Sequence, residues 1–334
     1  MSFNGISIII CCYNAASRIQ PTLQALQRQV DPGFPWEVIV VDNASTDDSG
    51  SVAKRIWEQE PVTAFTVVKE ENPGLIHARH KGLAEARFEI VSFIDDDNWV
   101  EEKWVMKIGE VFSMDTQIAA TGGQSLPAFE KAAPEWFPRY QQHYAVGRQM
   151  DRSGFIEKEK GFLWGAGLSF RKSIWERLKK TGYQNLTIGR QGKNMMAGED
   201  SELCYAFRLM GYRLYYRDDL VLTHYMPDNR MQFSYLLKMI FGFGLAHARL
   251  NCYRELLDPS FSLHAWWYEW MAAQKKRCTL ELKLLGASGE NRERLAINKA
   301  YFSGYARQLF LDRGRLKQFT QQLRKIFNSI EKQA

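Results

Sequence analysis

Apolar positions in the first hundred residues alternate between two rhythms. "ISIIICCYN" and "WEVIVVDNAST" are continuous apolar runs closed by polar residues, the pattern of strands buried on both faces. "RIQPTLQALQRQV" places Leu23, Leu26 and Val30 at helical spacing, and "TDDSGSVAKRIWEQE" opens on cap-type residues and reads as a second helix. "FTVVKEENPG" and "FEIVSFIDDDN" repeat the strand theme on either side of the helical "GLIHARHKGLAEA". Alternating strands and helices predict an α/β fold: a mostly parallel sheet flanked by helices, with ligands at the carboxyl ends of its strands. Those ends read "CYN", "VDNAST", "ENPG" and "DDDN", and all four are polar.

Past Met114 the pattern loosens, and Gly122, Gly123, Pro127, Pro134 and Pro138 are expected to break the chain. "GFLWGAGLSFRKSIWERL" reads as a strand and then a helix, with Gly165 and Gly167 where a backbone could approach a ligand. "AGEDSELCYAFRLMGYRLYY" reads as a helix with an acidic start, a stop at Gly211 and a strand beyond. From about Met231 the chain is expected to be helical. Leu316, Phe319, Leu323, Ile326 and Ile330 mark an amphipathic last helix. The predicted organisation is a sheet domain over 1–230 and a helical region over 231–334.

Three successive carboxylates at the end of an apolar strand are the strongest chemical signal. Asp95 and Asp97, two residues apart, can face one point and suit magnesium or manganese, which take carboxylate, phosphate and water oxygens. As a bare pattern an Asp triplet is more often a solvated loop; its company of polar strand ends is what favours a site. Asp42, ending the second strand, could accept from a nucleobase or a ribose hydroxyl, or cap the next helix. Arg79 could balance a diphosphate or Asp42, or lie on the surface. Glu199 and Asp200 open a helix, where negative charge is stabilised anyway; a carboxylate held ionised there could also act as general base. His224 ends another strand, either packed or as a further metal ligand. Neither GxxxxGK[ST] nor GxGxxG occurs, so kinase and dinucleotide-dehydrogenase chemistry lack support.

The net charge of +6 is concentrated at the end of the chain, where Met271–Ala334 carry fourteen Lys or Arg against five Asp or Glu. That balance suits an anionic membrane surface, and equally a solvated helical cap or an oligomer contact. No nucleic-acid reading motif accompanies it. Five cysteines without a CxxC pair predict reduced thiols in a cytoplasmic protein. No segment reaches the roughly 18 apolar residues of a membrane span, so membrane contact, if made, is peripheral and on the inner face.

The quoted segments, in this order, resemble family 2 glycosyltransferases over roughly residues 5–230. "ISIIICCYNAASRIQPTLQAL" is similar to that family's opening strand and Tyr-Asn turn, and "VIVVDNASTDDS" to its nucleotide-binding Asp segment. "ENPGLIHARHKGLAEARFEIVSFIDDDN" carries its Asn-Gly, Ala-Arg and Asp-x-Asp elements. "WGAGLSFRKSIW" and "GEDSELCYAFRLMGYRLYY" are similar to its acceptor-side stretch and its Glu-Asp motif. Cys11 and Cys12, where Pro-Thr is usual, and His80, where Asn is common, depart from the pattern. The resemblance implies a GT-A type, Rossmann-like fold and an inverting, metal-dependent sugar transfer. The donor would be a nucleotide sugar, a UDP-sugar foremost, and the acceptor a saccharide or lipid-linked hydroxyl, in bacterial surface polysaccharide synthesis. It implies Cys12, Tyr13, Asn14, Asp42, Asn72, Arg79, Asp95 and Asp96 at the donor, and Asp95, Asp97 and His224 at a Mn2+ or Mg2+ ion. It further implies Trp164, Gly165 and Glu199 at the acceptor, and Asp200 as general base. A nucleotidyltransferase, or a non-catalytic nucleotide-sugar binder on the same scaffold, is the alternative.

Overall fold

A computed structural model describes residues 3–157, 161–187, 189 and 196–331. The sheet begins with β1 (Ile6–Cys12), α1 (Ile19–Gln27), β2 (Trp36–Asn43), α2 (Ser49–Gln59), β3 (Ala64–Glu70) and α3 (Leu75–Glu85). It continues through β4 (Ile90–Asp95), β5 (Asn98–Val100), α4 (Trp104–Met114), β6 (Ile118–Phe129), a short α5 (Phe137–Tyr140) and β7 (Gly154–Phe155). Then come β8 (Ser169–Arg171), α6 (Lys172–Lys180), α7 (Glu199–Leu209) and β9 (Arg213–Met226). The helices α8 (Phe233–Leu257), α9 (Trp266–Leu284), α10 (Gly289–Leu311) and α11 (Leu316–Glu331) follow.

The chain forms two compact units that interleave along the sequence. One comprises Met1–Glu130, Tyr144–Arg177 and Gly211–Met226; the other Lys131–His143, Leu178–Met210 and Pro227–Ala334. The second unit therefore includes α7, which lies well before residue 230.

Among the described residues, the first unit holds a nine-stranded sheet in the order β3-β2-β1-β4-β8-β6-β9-β5, with β7 paired to β9. The three pairings of β1–β4 are parallel, as the alternating pattern predicts, and β6 with β9 is parallel as well. The four pairings that involve β5, β7 and β8 are antiparallel, so the sheet is mixed beyond β4. β1 and β2 are Ile- and Val-rich because both faces are covered; Ile6, Ile8, Ile9, Ile10, Val38, Val40 and Val41 are fully buried. Each such side chain contributes about 1.5–3 kcal/mol on burial. On one face Ile6, Ile8, Ile10 and Cys12 pack with Ile19, Leu23 and Leu26 of α1. Val30, expected on that helix, lies beyond its end and is exposed.

Two expectations from the sequence are corrected. The stretch expected to break at Gly122 and Gly123 is the twelve-residue strand β6, which runs through both glycines. A Cβ at Gly123 would fall 1.8 Å from the Leu220 carbonyl oxygen, and the β6–β9 register shifts between Gly122 and Gln124. Glycine here allows a bulge and close strand contact instead of ending the strand. In "GFLWGAGLSFR" only Ser169–Arg171 form a strand; the residues before it are loop.

The second unit is helical. Its core gathers Leu178, Tyr183, Ala206, Ala248, Cys252, Tyr253, Tyr305, Leu309, Leu316, Leu323, Phe327 and Ile330. Of the predicted stripe on α11, Leu316, Leu323 and Ile330 are buried and Phe319 and Ile326 partly so, with Phe327 buried among them. Asp312, fully buried, accepts two hydrogen bonds from Arg249, at 2.7 and 3.0 Å. No helix among the described residues is long and apolar enough to cross a membrane.

Candidate active site

The parallel register fixes where the acidic strand ends lie. Cys12 pairs with Asp42 on one side of β1, and Cys11 with Asp95 on the other. Parallel partners share a face, so Asp42 projects with Cys12 toward α1 and α2, and Asp95 with Cys11 toward the face that α3 covers. Gly82 of α3 packs on Ile9 and Val41 of that face, and the Arg79 guanidinium lies 4.9 Å over the Phe93 ring. Burial pushes the Cys11 thiol up to about 12, with Arg79 opposing and Asp95 reinforcing the shift. Burial likewise raises Cys12, so both thiols are neutral packing groups.

Asp42 is 9% exposed, and its Oδ1 is buried without a hydrogen-bond partner. The following helix α2 starts without a side-chain cap, so Asp42 does not serve as one. A buried carboxylate oxygen with nothing to accept is costly in a folded chain and suits an N–H donor from a ligand. Around it the loops are laced together. Asn14, at φ 49°, receives the Thr46 N–H on its Oδ1 at 2.8 Å and donates its own N–H to Ser45 Oγ. Tyr13 beside it is exposed. Asn72, also exposed, donates to the Glu70 carboxylate, while Asn43 Nδ2 donates to the Asn72 carbonyl at 2.6 Å.

The Asp triplet divides its labour. Both oxygens of Asp96 accept from Arg18, at 2.9 and 2.7 Å, and Arg18 also donates to the carbonyls of Asn14 and Tyr13. The donor-side residue Asp96 is thus engaged in bracing the β1–α1 turn. Despite that bidentate pair, burial lifts its carboxyl to about 6, and the charges of Asp97 and Asp95 push the same way against Arg18. Arg18 therefore does not cancel the effect of burial and of the neighbouring carboxylates on Asp96. Asp97 is buried, and its Oδ1 lies 3.7 Å from His224 Nε2, because β5 and β9 pair Asn98 with His224. Asn98 steadies the same oxygen with a 3.1 Å hydrogen bond.

Among the described residues no cluster of three or more His, Cys, Asp or Glu is arranged as a ready metal cage. Asp97 and His224 bring two metal-capable donors 3.7 Å apart, between the ~3.0 Å of adjacent and the ~4.2 Å of opposite positions around an octahedral ion with ligands at ~2.1 Å, so holding such an ion requires a small shift of either side chain. Trp164 and Gly165 belong to this sheet unit, and the Trp164 N–H donates to Gln149 Oε1 at 2.9 Å.

Glu199 and Asp200 belong to the helical unit, in the first turn of α7. Gly198 before them has φ 142°, and a Cβ there would press on Ala246 at 3.1 Å. Glu199 Oε2 accepts from the Gly198 N–H at 3.0 Å, and Asp200 Oδ1 from the Ser201 N–H at 2.8 Å.

A sequence profile of glycosyl transferase family 2 matches residues 7–179. The chain belongs to that family. This glycosyltransferase is 24% identical over 262 residues to the glucosyl-dolichyl phosphate glucuronosyltransferase of Haloferax volcanii, covering 77% of this chain and 79% of the relative. It is 35% identical over 99 residues to a putative teichuronic acid biosynthesis glycosyltransferase, TuaG, of Bacillus subtilis, covering 29% of this chain and 38% of that one. Its fold is the GT-A type. A mannosyltransferase from Pyrobaculum calidifontis, solved with GDP-Man and Mn2+, superposes with a TM-score of 0.57 at 19% identity over 99% of this chain and 86% of its own. GalNAc-T7, solved with UDP, GalNAc and Mn2+, gives 0.51 at 16% identity, over 76% of this chain and 51% of its own.

Sequence reasoning passed over the residues that brace the glycosyltransferase's acidic motifs. Nothing in the local sequence marks Arg18, and its partner Asp96 lies 78 residues away. Asn43 pins the loop after β3 by donating to Glu70 and Asn72 and accepting from the Gly74 N–H. Glu202, with no exposure, accepts from Tyr183, Tyr253, the Leu186 N–H, and both the N–H and hydroxyl of Thr187. Burial foremost, with Glu202 adding to it, raises both tyrosine hydroxyls and keeps them as donors. A clue existed in the sequence: Glu202 falls on the stripe of Ala206 and Leu209, an acid in an apolar row.

Glu202 anchors the turn that carries Glu199 and Asp200. Glu202→Gln keeps the shape but turns an amide NH2 toward some of these donors. It is expected to lower unfolding stability by about 3 kcal/mol, read as a drop in urea midpoint at unchanged slope. A midpoint equal to the parent's would mean that the carboxylate does not hold this turn.

Proposed function

We propose that this glycosyltransferase moves a sugar from a nucleoside-diphosphate donor to a hydroxyl of a saccharide or lipid-linked acceptor, with inversion and with a divalent cation. The observation that carries the reading is the partnerless, buried Asp42 oxygen at the end of β2, two strands from an Asp triplet of which Arg18 engages one member. Asp42 would accept from a ring N–H of the base. Uracil and guanine carry one on that edge and adenine and cytosine do not, so a UDP-sugar is the first donor to test and a GDP-sugar the second. Cys12, Tyr13 and Asn14 would border the base, with Asn72 and Arg79 toward the ribose and diphosphate.

Asp95, Asp97 and His224 would hold Mn2+ or Mg2+, and Asp96 supports them through Arg18. A cation bound there supplies Lewis-acid neutralisation of the charge growing on the leaving diphosphate. Asp200 would take the acceptor hydroxyl proton as that oxygen bonds to the anomeric carbon from the face opposite the departing nucleoside diphosphate. Glu199, Trp164 and Gly165 would orient the acceptor. One displacement inverts the anomeric centre. Residues 1–230 would carry most of this chemistry and 231–334 contacts to acceptor, membrane or a second copy. The setting we infer is surface polysaccharide assembly at the cytoplasmic face of a bacterial membrane.

The test is a screen of nucleotide sugars for binding and turnover, with and without Mn2+, on the parent and Asp42→Ala. One donor class is expected to bind, with Asp42→Ala weakening it by about tenfold to a hundredfold, the worth of a charged hydrogen bond to the base. Equal binding of all bases by parent and variant would remove Asp42 from base recognition. Donor binding without turnover would favour the non-catalytic reading, and absence of any donor binding would overturn both.

A further inference from the structure

Seven of the twelve exposed large hydrophobic side chains of the described chain belong to one helix pair: Trp267, Tyr268, Met271, Leu282 and Leu285 on or just past α9, and Phe310 and Leu311 on α10. The remaining five are scattered singly over the sheet unit, as on any protein surface. On α9, Trp267, Met271, Cys278, Leu282 and Leu285 recur at helical spacing and form one exposed stripe. Beside it α9 and α10 enclose a groove of about 490 Å³ lined by Trp270, Gln274, Arg277, Arg307, Phe310 and Leu311. Contiguous apolar surface of this kind marks an interaction face.

Charge identifies what it meets. The acids of this region are already engaged: Glu281 with Lys299, Glu290 and Glu293 with Arg139, Asp312 with Arg249, and Glu269 with His264. Arg307 lines the groove, Lys275 lies beside the stripe, and Lys276 and Lys283 are exposed farther round α9; none of the four has an acidic partner among the described residues. The face therefore presents a net positive rim around an aromatic and aliphatic band. A second copy of the same face would bring like charges together. A nucleic acid would leave Leu282, Leu285 and Leu311 without the stacking partners that bases seek. An anionic bilayer satisfies both features, taking the aromatic and aliphatic side chains at its acyl boundary and the Lys and Arg at its phosphates.

We propose that the α9–α10 face docks this glycosyltransferase onto an anionic membrane surface, with Arg277 and Arg307, one from each helix, available to headgroup phosphate in the groove. Trp267, Met271, Leu282 and Leu285 insert at the interface, and Lys275, Lys276 and Lys283 supply the electrostatic attraction. The inference rests on this surface alone and stands or falls separately from the donor assignment above.

The test is co-sedimentation of the full chain with vesicles of phosphatidylcholine alone and of phosphatidylcholine mixed with phosphatidylglycerol. Binding to the mixed vesicles only, weakened by added salt, is expected. Neutralising Lys275, Lys276 and Lys283 to Gln should weaken it by roughly a hundredfold, since each basic residue at an anionic surface contributes about fivefold. Trp267→Ser with Leu285→Ser should weaken it by about tenfold or more. These side chains are exposed, so the melting curves of both variants should match the parent's, which separates lost docking from lost folding. Failure to bind mixed vesicles, equal binding to neutral ones, or unchanged binding by both variants would overturn the proposal. So would a stable dimer in size-exclusion chromatography that Leu282→Glu disperses, since the face would then be a contact between copies.

Discussion

Asp97→Ala is expected to reduce nucleotide-sugar turnover by roughly a thousandfold and to abolish saturable Mn2+ binding, measured by calorimetric titration with nucleoside diphosphate present. The reason is position. Asp97 is 5% exposed, its Oδ1 lies 3.7 Å from His224 Nε2, and Asn98 donates to the same oxygen. The antiparallel register of β5 and β9 sets that spacing through the backbone, so no loop movement in the variant can replace the lost ligand. Asp97→Asn keeps the shape and one neutral oxygen and should retain part of the cation affinity, which distinguishes charge from packing. His224→Ala should be milder, because a carboxylate dominates attraction for a hard cation. If Asp97→Ala binds Mn2+ and donor like the parent while melting normally, the triplet is not the cation site, and its role is confined to the Arg18 brace.

The second large effect is expected at α7. Asp200→Asn should lower kcat by about a hundredfold to ten-thousandfold, the range for loss of a general base, with donor affinity unchanged. Asn keeps the oxygen that receives the Ser201 N–H at 2.8 Å, so the helix turn survives and only the proton acceptor is removed. A split of this kind, with kcat lost and binding kept, reports an interaction made in the transition state. The anomeric configuration of the product, read by NMR with the parent enzyme, tests the stereochemistry: inversion accords with a single displacement. A retained configuration, or an Asp200→Asn variant of full activity, would require a different proton acceptor and a different mechanism.

The two motifs differ in how they are supported. Asp95–Asp97 continue from β4, whose last residue Asp95 pairs with Cys11 of β1, and Arg18 braces Asp96. Glu199 and Asp200 depend on a helix start whose anchor, Glu202, gathers donors from Tyr183, Leu186, Thr187 and Tyr253. Damage to Glu202 should therefore affect stability first and catalysis through it, whereas damage to Asp97 should affect the cation with stability largely kept.

The sequence alone determined the strand and helix alternation of the first hundred residues, the polar carboxyl ends of β1–β4, the acidic start of α7 and the amphipathic α11, because each is written in local periodicity and end chemistry. The order of those motifs also carried the family. What local patterns cannot hold is a partner distant in the chain. Only the tertiary structure decided that Arg18 closes on Asp96 and that Asn43 pins the loop after β3. It likewise decided that β6 continues through Gly122 and Gly123 against Leu220, and that α7 joins the helical unit ahead of residue 230. Each of these outcomes depends on the packing or hydrogen bonding of segments far apart in sequence, and that information exists only once the chain has folded.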